Sequence, residues 1–177
     1  MAFSPKSARG RFASGSHDTT VKIWDLVFGK CEHTLEGHSG PVTAVAFSLD
    51  ARLLASASAD GTIKLWAIPQ GRCMHTLPAR ATNGFLAFSH DTSSLVAVSA
   101  MNITIWDLAT NQLLHMFEHH INSGCFDAIA ISPDSSILAL PSGPNTIIIW
   151  DLTTRKRLRE LNGHTGMIHS VAFSRDQ

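Results

Sequence analysis

Short apolar runs separated by turn residues recur along the whole chain. Thr62-Ile63-Lys64-Leu65-Trp66 alternates polar and apolar positions with a period of two, the signature of a half-buried strand. Ahead of it, Val42-Thr43-Ala44-Val45-Ala46-Phe47 is β-branched and apolar, and the segment from Arg52 to Ser58 is a second such run. Ser48-Leu49-Asp50 separates these two, and Ala59-Asp60-Gly61 forms the next turn; an Asp-Gly pair suits the twist of a β-hairpin. Gly71 marks a further turn, after which Arg72 to Leu77 reads as a fourth strand. No segment keeps a 3.6-residue period, so the chain is predicted to be all-β with almost no helix.

This four-strand pattern repeats. Trp24, Trp66, Trp106 and Trp150 are the only tryptophans and lie 42, 40 and 44 residues apart. A second marker, an apolar residue followed by serine, falls at Phe3-Ser4, Phe47-Ser48, Phe88-Ser89, Ile131-Ser132 and Phe173-Ser174, in steps of 44, 41, 43 and 42. Two unrelated features share one period near 42, the length of a four-stranded propeller blade. The predicted architecture is an arc of four blades, the first incomplete, plus the innermost strand of a fifth. Blade 1 spans 1–36, blade 2 spans 37–78, blade 3 spans 79–118, blade 4 spans 119–162, and 163–177 begin blade 5.

Composition narrows the function classes. The chain has 177 residues, with 14 Lys and Arg against 14 Asp and Glu, so it lacks the basic excess of a nucleic-acid binder. The densest basic cluster, Arg155-Lys156-Arg157 with Arg159, opens an outer strand and reads as a solvated edge. Cys31, Cys73 and Cys125 are odd in number and far apart. They fit a reducing compartment better than a disulfide framework or a zinc knuckle. No run is long and apolar enough to cross a bilayer, and Met1 to Lys6 lacks a signal-peptide core. A cytoplasmic location is the expectation. His119-His120 are adjacent, so in a strand they point to opposite faces and do not share one ion. No metal and no cofactor is expected.

Gly37-His38, Ala55-Ser56, Asp60 and Trp66 together resemble a WD repeat of the β-propeller family, with Trp-Asp pairs at Trp24-Asp25, Trp106-Asp107 and Trp150-Asp151 and a departure at Trp66-Ala67. The segments LEGHSGPVTAVAFS and LNGHTGMIHSVAFS further resemble the propeller arrays of fungal STAND (NACHT) receptors and of mitochondrial-division adaptor scaffolds. The family resemblance implies a buried hydrogen-bond network of His38, Ser56, Asp60 and Trp66 in blade 2. It implies a partial network of Ser14, Asp18 and Trp24 in blade 1, with Trp106 and Trp150 as the remnants in blades 3 and 4. A hydrolase triad is set aside, because the resemblance buries this serine and histidine whereas a nucleophile needs access.

The same resemblance implies a partner-binding rim. It comprises Pro41 and Thr43, Thr82 and Gly84, Cys125 and Asp127, Met167 and His169, with His17, Ala59 and Met101 from the hairpin turns. Methionines among polar ends suit a protein or peptide better than a phosphate, which would want clustered Arg and Lys. The expected function is a non-catalytic protein-interaction scaffold or sensor, a fragment of a larger multi-repeat protein, with no nucleic-acid or membrane partner. The alternatives are an enzyme with a site in the propeller channel and a structural remnant without a ligand. Seven periods of 42 need on the order of 290 residues. The ring would therefore be completed by further blades of a parent chain, by a second copy as a homodimer, or by a strained four-bladed closure in which Ile168 to Ser174 pairs into blade 1.

Overall fold

The computed structural model describes residues 1–3, 10–79, 84–99, 101–118, 129–154 and 156–174. They form sixteen strands and no helix. The strands fall into four antiparallel sheets of four. Blade 1 contains β1 (Ala2–Phe3), β2 (Arg11–Gly15), β3 (Val21–Asp25) and β4 (Lys30–Leu35). Blade 2 contains β5 (Val42–Phe47), β6 (Leu53–Ser58), β7 (Thr62–Ala67) and β8 (Arg72–Pro78). Blade 3 contains β9 (Phe85–Phe88), β10 (Ser94–Val98), β11 (Asn102–Asp107) and β12 (Gln112–Glu118). Blade 4 contains β13 (Ala130–Ile131), β14 (Ile137–Pro141), β15 (Thr146–Asp151) and β16 (Lys156–Asn162). Strands within a blade pair in sequence order, so each blade is a meander.

The core lies between blades, because each inner strand is apolar on both faces. Ala13, Val21, Ile23 and Leu35 of blade 1 pack on Val45, Phe47, Leu54 and Trp66 of blade 2. The opposite face of blade 2, with Ala55, Ile63, Leu65 and Leu77, packs on Leu86, Leu95 and Trp106 of blade 3. Blade 3 then presents Val96, Val98, Ile103 and Ile105 to Leu138, Leu140 and Trp150 of blade 4. Each blade therefore has a tryptophan face toward its predecessor and an aliphatic face toward its successor. The outermost strands face water: β16 is exposed throughout, Lys156, Arg157 and Arg159 included, and Arg157 pairs with Glu160.

A bulge recurs just ahead of every tryptophan. The register shifts between Ile23 and Trp24, Leu65 and Trp66, Ile105 and Trp106, and Ile149 and Trp150. Such a bulge twists the outer strand against its neighbour. Nothing in the apolar pattern marked it, because the skipped residues lie on exposed β4, β8, β12 and β16.

The arc is open. Residues 163–174 run past blade 4 without entering a ladder, held at Ile168, whose N–H donates to the Pro144 carbonyl at 2.8 Å. This is the expected extra innermost segment, lacking a sheet of its own. The four-bladed closure expected as one alternative does not occur: among the described residues β1 pairs with β2 alone, and Ile168 to Ser174 enter no ladder.

Candidate functional site

The polar network of blade 2 is complete. Gly37 adopts φ 138°, a conformation open to glycine, and turns the chain so that His38 enters between strands. There the indole N–H of Trp66 donates to Ser56 Oγ at 2.8 Å. Ser56 Oγ lies 2.7 Å from His38 Nε2, and His38 Nδ1 lies 2.8 Å from Asp60 Oδ2. Asp60 also accepts from Ser39 N at 2.9 Å, Thr62 N at 2.9 Å and Thr62 Oγ1 at 2.7 Å. Every member is satisfied if His38 is neutral, with Nδ1–H donating to Asp60 and Nε2 accepting from the Ser56 hydroxyl.

Electrostatics agree with that tautomer. Burial pushes the His38 imidazole below its ordinary value, and the Asp60 carboxylate only partly offsets this. Burial alone would raise Asp60, but hydrogen bonds from Thr62, Ser39 and His38 outweigh it and hold the carboxyl well below the usual range. Ser56, His38 and Asp60 thus have the distances of a nucleophile, base and acid. Ser56 is nonetheless fully buried and its oxygen already accepts the indole N–H, so no substrate carbonyl can reach it. The network fixes the register of β5, β6 and β7 and anchors the Asp60 hairpin turn.

The other blades carry less of it. In blade 1 the Trp24 indole donates to Ser14 Oγ at 3.0 Å, and Asp18 binds only its own turn through Thr20. Trp106 and Trp150 were expected to share in networks and do not: among the described residues their buried indole nitrogens have no partner. The register explains why. Ser56 lies two residues beyond Leu54, which pairs with Trp66; the same positions hold Ala97 in blade 3 and Leu140 in blade 4. A buried unpaired donor costs on the order of 1–3 kcal/mol. Ala97→Ser therefore supplies the missing acceptor and is expected to stabilise the protein by about 1 kcal/mol, raising Tm by roughly 2–4 °C in a calorimetric scan. A lower Tm would mean that Trp106 already has a partner.

The rim residues gather at one repeating junction, where the start of an innermost strand meets the hairpin turn of the same blade and of the blade before. Val42 N donates to Ser16 O at 2.9 Å, beside His17, and Ala59 N donates to Pro41 O at 2.9 Å. His17, Thr43 and Ala59 are exposed and Pro41 is half-buried. Ile168 N to Pro144 O is the equivalent junction after blade 4, and it presents exposed Met167 and His169. Met101 tops the hairpin of blade 3, where Ser99 Oγ accepts from Met101 N and Asn102 N and so closes the shortened turn. Gly84 differs in character: a Cβ there would lie 1.5 Å from the Val98 carbonyl oxygen, so it is a packing position. Thr82, Cys125 and Asp127, like His119 and His120, lie outside the described residues.

His17 and Thr43 also line a concavity of about 760 Å³, with Val45, Leu86 and Ile129 among its other walls. On the opposite edge, three serine-x-aspartate turns repeat. Ser48, Ser89 and Ser132 donate to Asp50, Asp91 and Asp134 at 2.6, 2.6 and 2.5 Å. The Ser89 hydroxyl and the Ser93 backbone and hydroxyl lower Asp91 to about 2, and Ser132 and Ser136 do the same for Asp134. A link that no sequence pattern showed joins these turns across blades: His90 N donates to Ser135 Oγ at 2.7 Å. Among the described residues no group of three or more His, Cys, Asp or Glu could hold a metal ion.

Four-stranded meanders with tryptophan faces, a His–Ser–Asp–Trp network and a 42-residue period describe one repeat type. The family model for the WD domain, G-beta repeat, matches residues 1–25 and 29–67. The chain carries WD repeats. It is 29% identical over 182 residues to periodic tryptophan protein 2 homolog of Dictyostelium discoideum, covering 99% of this chain and 19% of that protein. It is 35% identical over 158 residues to small ribosomal subunit protein RACK1y of Oryza sativa subsp. japonica, covering 86% and 47%. It is 30% identical over 186 residues to the human angio-associated migratory cell protein, covering 94% and 42%. This WD-repeat chain thus spans from about a fifth to under half of the curated relatives it matches. These relatives support the WD-repeat identity and lend none to a narrower tie with fungal receptor or mitochondrial-division arrays.

Proposed function

We propose that the protein is a non-catalytic scaffold that binds a peptide segment of a protein partner at the rim formed by His17, Pro41, Thr43, Ala59, Met101, Met167 and His169. The observation that carries this reading is the junction geometry. Exposed residues from separate blades are mounted on turns that the networks and cross-blade hydrogen bonds hold rigid, the arrangement in which binding loops work. Adaptable methionines beside hydroxyl and imidazole ends suit a mixed peptide surface. The buried Ser56 argues for binding over chemistry. One relative is by name a component of the small ribosomal subunit, which favours work inside an assembly. The free, exposed thiols of Cys31 and Cys73 fit a reducing, cytoplasmic setting. The sensor role in a larger multi-repeat receptor belongs to the same proposal and rests on the two Gly-His segments.

Selection from a displayed peptide library tests it. The native protein enriches a related set of peptides, and Thr43→Glu, Met101→Glu and Met167→Glu combined weaken their binding at least about tenfold while the circular dichroism of the folded chain is kept. No enrichment, or binding that ignores the triple change, refutes the rim.

A further inference from the structure

We propose that two copies of this chain join through β12, the outer strand of blade 3, paired antiparallel across a twofold axis at His115. Among the described residues β12 pairs with β11 alone, so its other edge offers backbone donors and acceptors to a further strand. Every blade ends in such an edge, and every outer strand meets the same bulge. What differs is the charge that keeps native edge strands from pairing. β4 carries Lys30 and Glu32, and Glu32 accepts from Arg11. β8 carries Arg72, and β16 carries Lys156, Arg157, Arg159 and Glu160. β12 has no Asp, Glu, Lys or Arg before its last residue, Glu118. The strand inside it follows suit. Lys22 of β3 and Lys64 of β7 reach out to Thr34 and Thr76 of the outer strands, at 2.9 and 3.0 Å. In β11 that place is taken by Thr104, opposite Met116, and it donates instead to the Ala97 carbonyl of β10 at 3.2 Å. Apolar surface replaces the missing charge: Leu113, Leu114 and Met116 are 43, 43 and 42% exposed. By contrast β4 exposes no large apolar side chain, β8 exposes Met74 alone, and β16 sets Leu158 and Leu161 among its charges.

The order of residues in β12 selects the occupant. About His115 the strand is symmetric in polarity: Gln112 mirrors Glu118, Leu113 mirrors Phe117, and Leu114 mirrors Met116. An antiparallel twofold contact sets each residue opposite its mirror. Apolar side chains then meet apolar ones on both faces of the joined sheet, and the carboxylate of Glu118 meets the amide of Gln112. A strand from an unrelated protein would not require this symmetry. β16 lacks it, since the same operation about its middle residue sets Arg159 against its own copy. The strand is also held from behind: the Phe117 ring packs on Trp150 of blade 4 with centroids 5.4 Å apart. The two blade 3 sheets thereby run on as one sheet across the axis, and the contact closes at two copies.

This goes beyond the rim reading, because β12 lies on the outer wall: a monomer that still binds its selected peptide overturns the pairing alone. Light scattering at rising concentration is expected to climb from the 19.2 kDa of one chain to twice that mass. Leu114→Glu and Met116→Lys replace exposed side chains, so each keeps the circular dichroism, and each is expected to weaken the pair at least about tenfold. An equal mixture of the two variants is expected to restore it, because the new carboxylate of one copy then faces the new ammonium of the other. A single mass at every concentration overturns the proposal, as does a pair that neither variant weakens. A mixture that fails to restore the pair overturns the twofold register. A ladder of growing masses, the mark of a contact that does not close, overturns it as well.

Discussion

Trp66→Ala is expected to cost roughly 3–5 kcal/mol, a large fraction of the 5–15 kcal/mol that holds a domain folded. Trp66 is 2% exposed and packs in the cluster that joins blade 1 to blade 2. Its removal opens a cavity in that junction and takes away the donor to Ser56. Urea unfolding followed by circular dichroism reads the loss as a lower midpoint or an already unfolded chain. Trp24→Ala, on the half-exposed face of blade 1, is expected to cost less than roughly 2 kcal/mol. Equal losses at the two sites would mean that the blade 1–blade 2 contact does not carry the fold.

Asp60→Ala comes second, at about 2–4 kcal/mol, since each buried donor left unsatisfied costs on the order of 1–3 kcal/mol and those that reach water cost less. It strands four donors at once: His38 Nδ1–H, Ser39 N, Thr62 N and the Thr62 hydroxyl. The same groups set the response to acid. His38 and Asp60 both have folded values below their unfolded ones. Both contributions are present above the unfolded value and lost as pH falls toward the folded one. For His38 the loss begins near the ordinary imidazole value of 6.5, and for Asp60 near the ordinary carboxyl value of 3.8. The urea midpoint of the native protein should fall from neutral pH toward pH 5. His38→Gln should flatten that slope while lowering the midpoint at neutral pH. An unchanged slope would place the titrating group elsewhere.

Much of this was legible in the residues. The 42-residue period, the strand runs and the tryptophans gave four blades and their order, because a strand's pattern is local. Blade 2 announced its network through Gly37-His38, Ser56, Asp60 and Trp66, which are side chains of distinctive chemistry at fixed offsets. What stayed hidden was relational. That Trp106 and Trp150 lack partners among the described residues depends on Ala97 and Leu140, residues unremarkable in any strand. The bulge before each tryptophan leaves no apolar trace, since it falls where the outer strands meet water. That Gly84, which lines the same concavity as Thr43, also lies against the Val98 carbonyl depends on a neighbour its residue type does not name. The His90–Ser135 link spans 45 residues, beyond the reach of any local signal. Whether Ile168 to Ser174 would close on blade 1 could not be decided from a repeat that fits both ends.

A hydrogen-exchange footprint of a library-selected peptide tests the binding rim. Bound peptide should slow exchange at the rim, in residues 39–43, in the turn at Ala59 to Gly61 and at Met101 and Asn102, leaving the outer strands β8 and β12 unaffected. Protection confined to the serine-aspartate turns around Asp91 and Asp134, or to the outer strands, would contradict the account and move the site to the opposite edge or the outer wall.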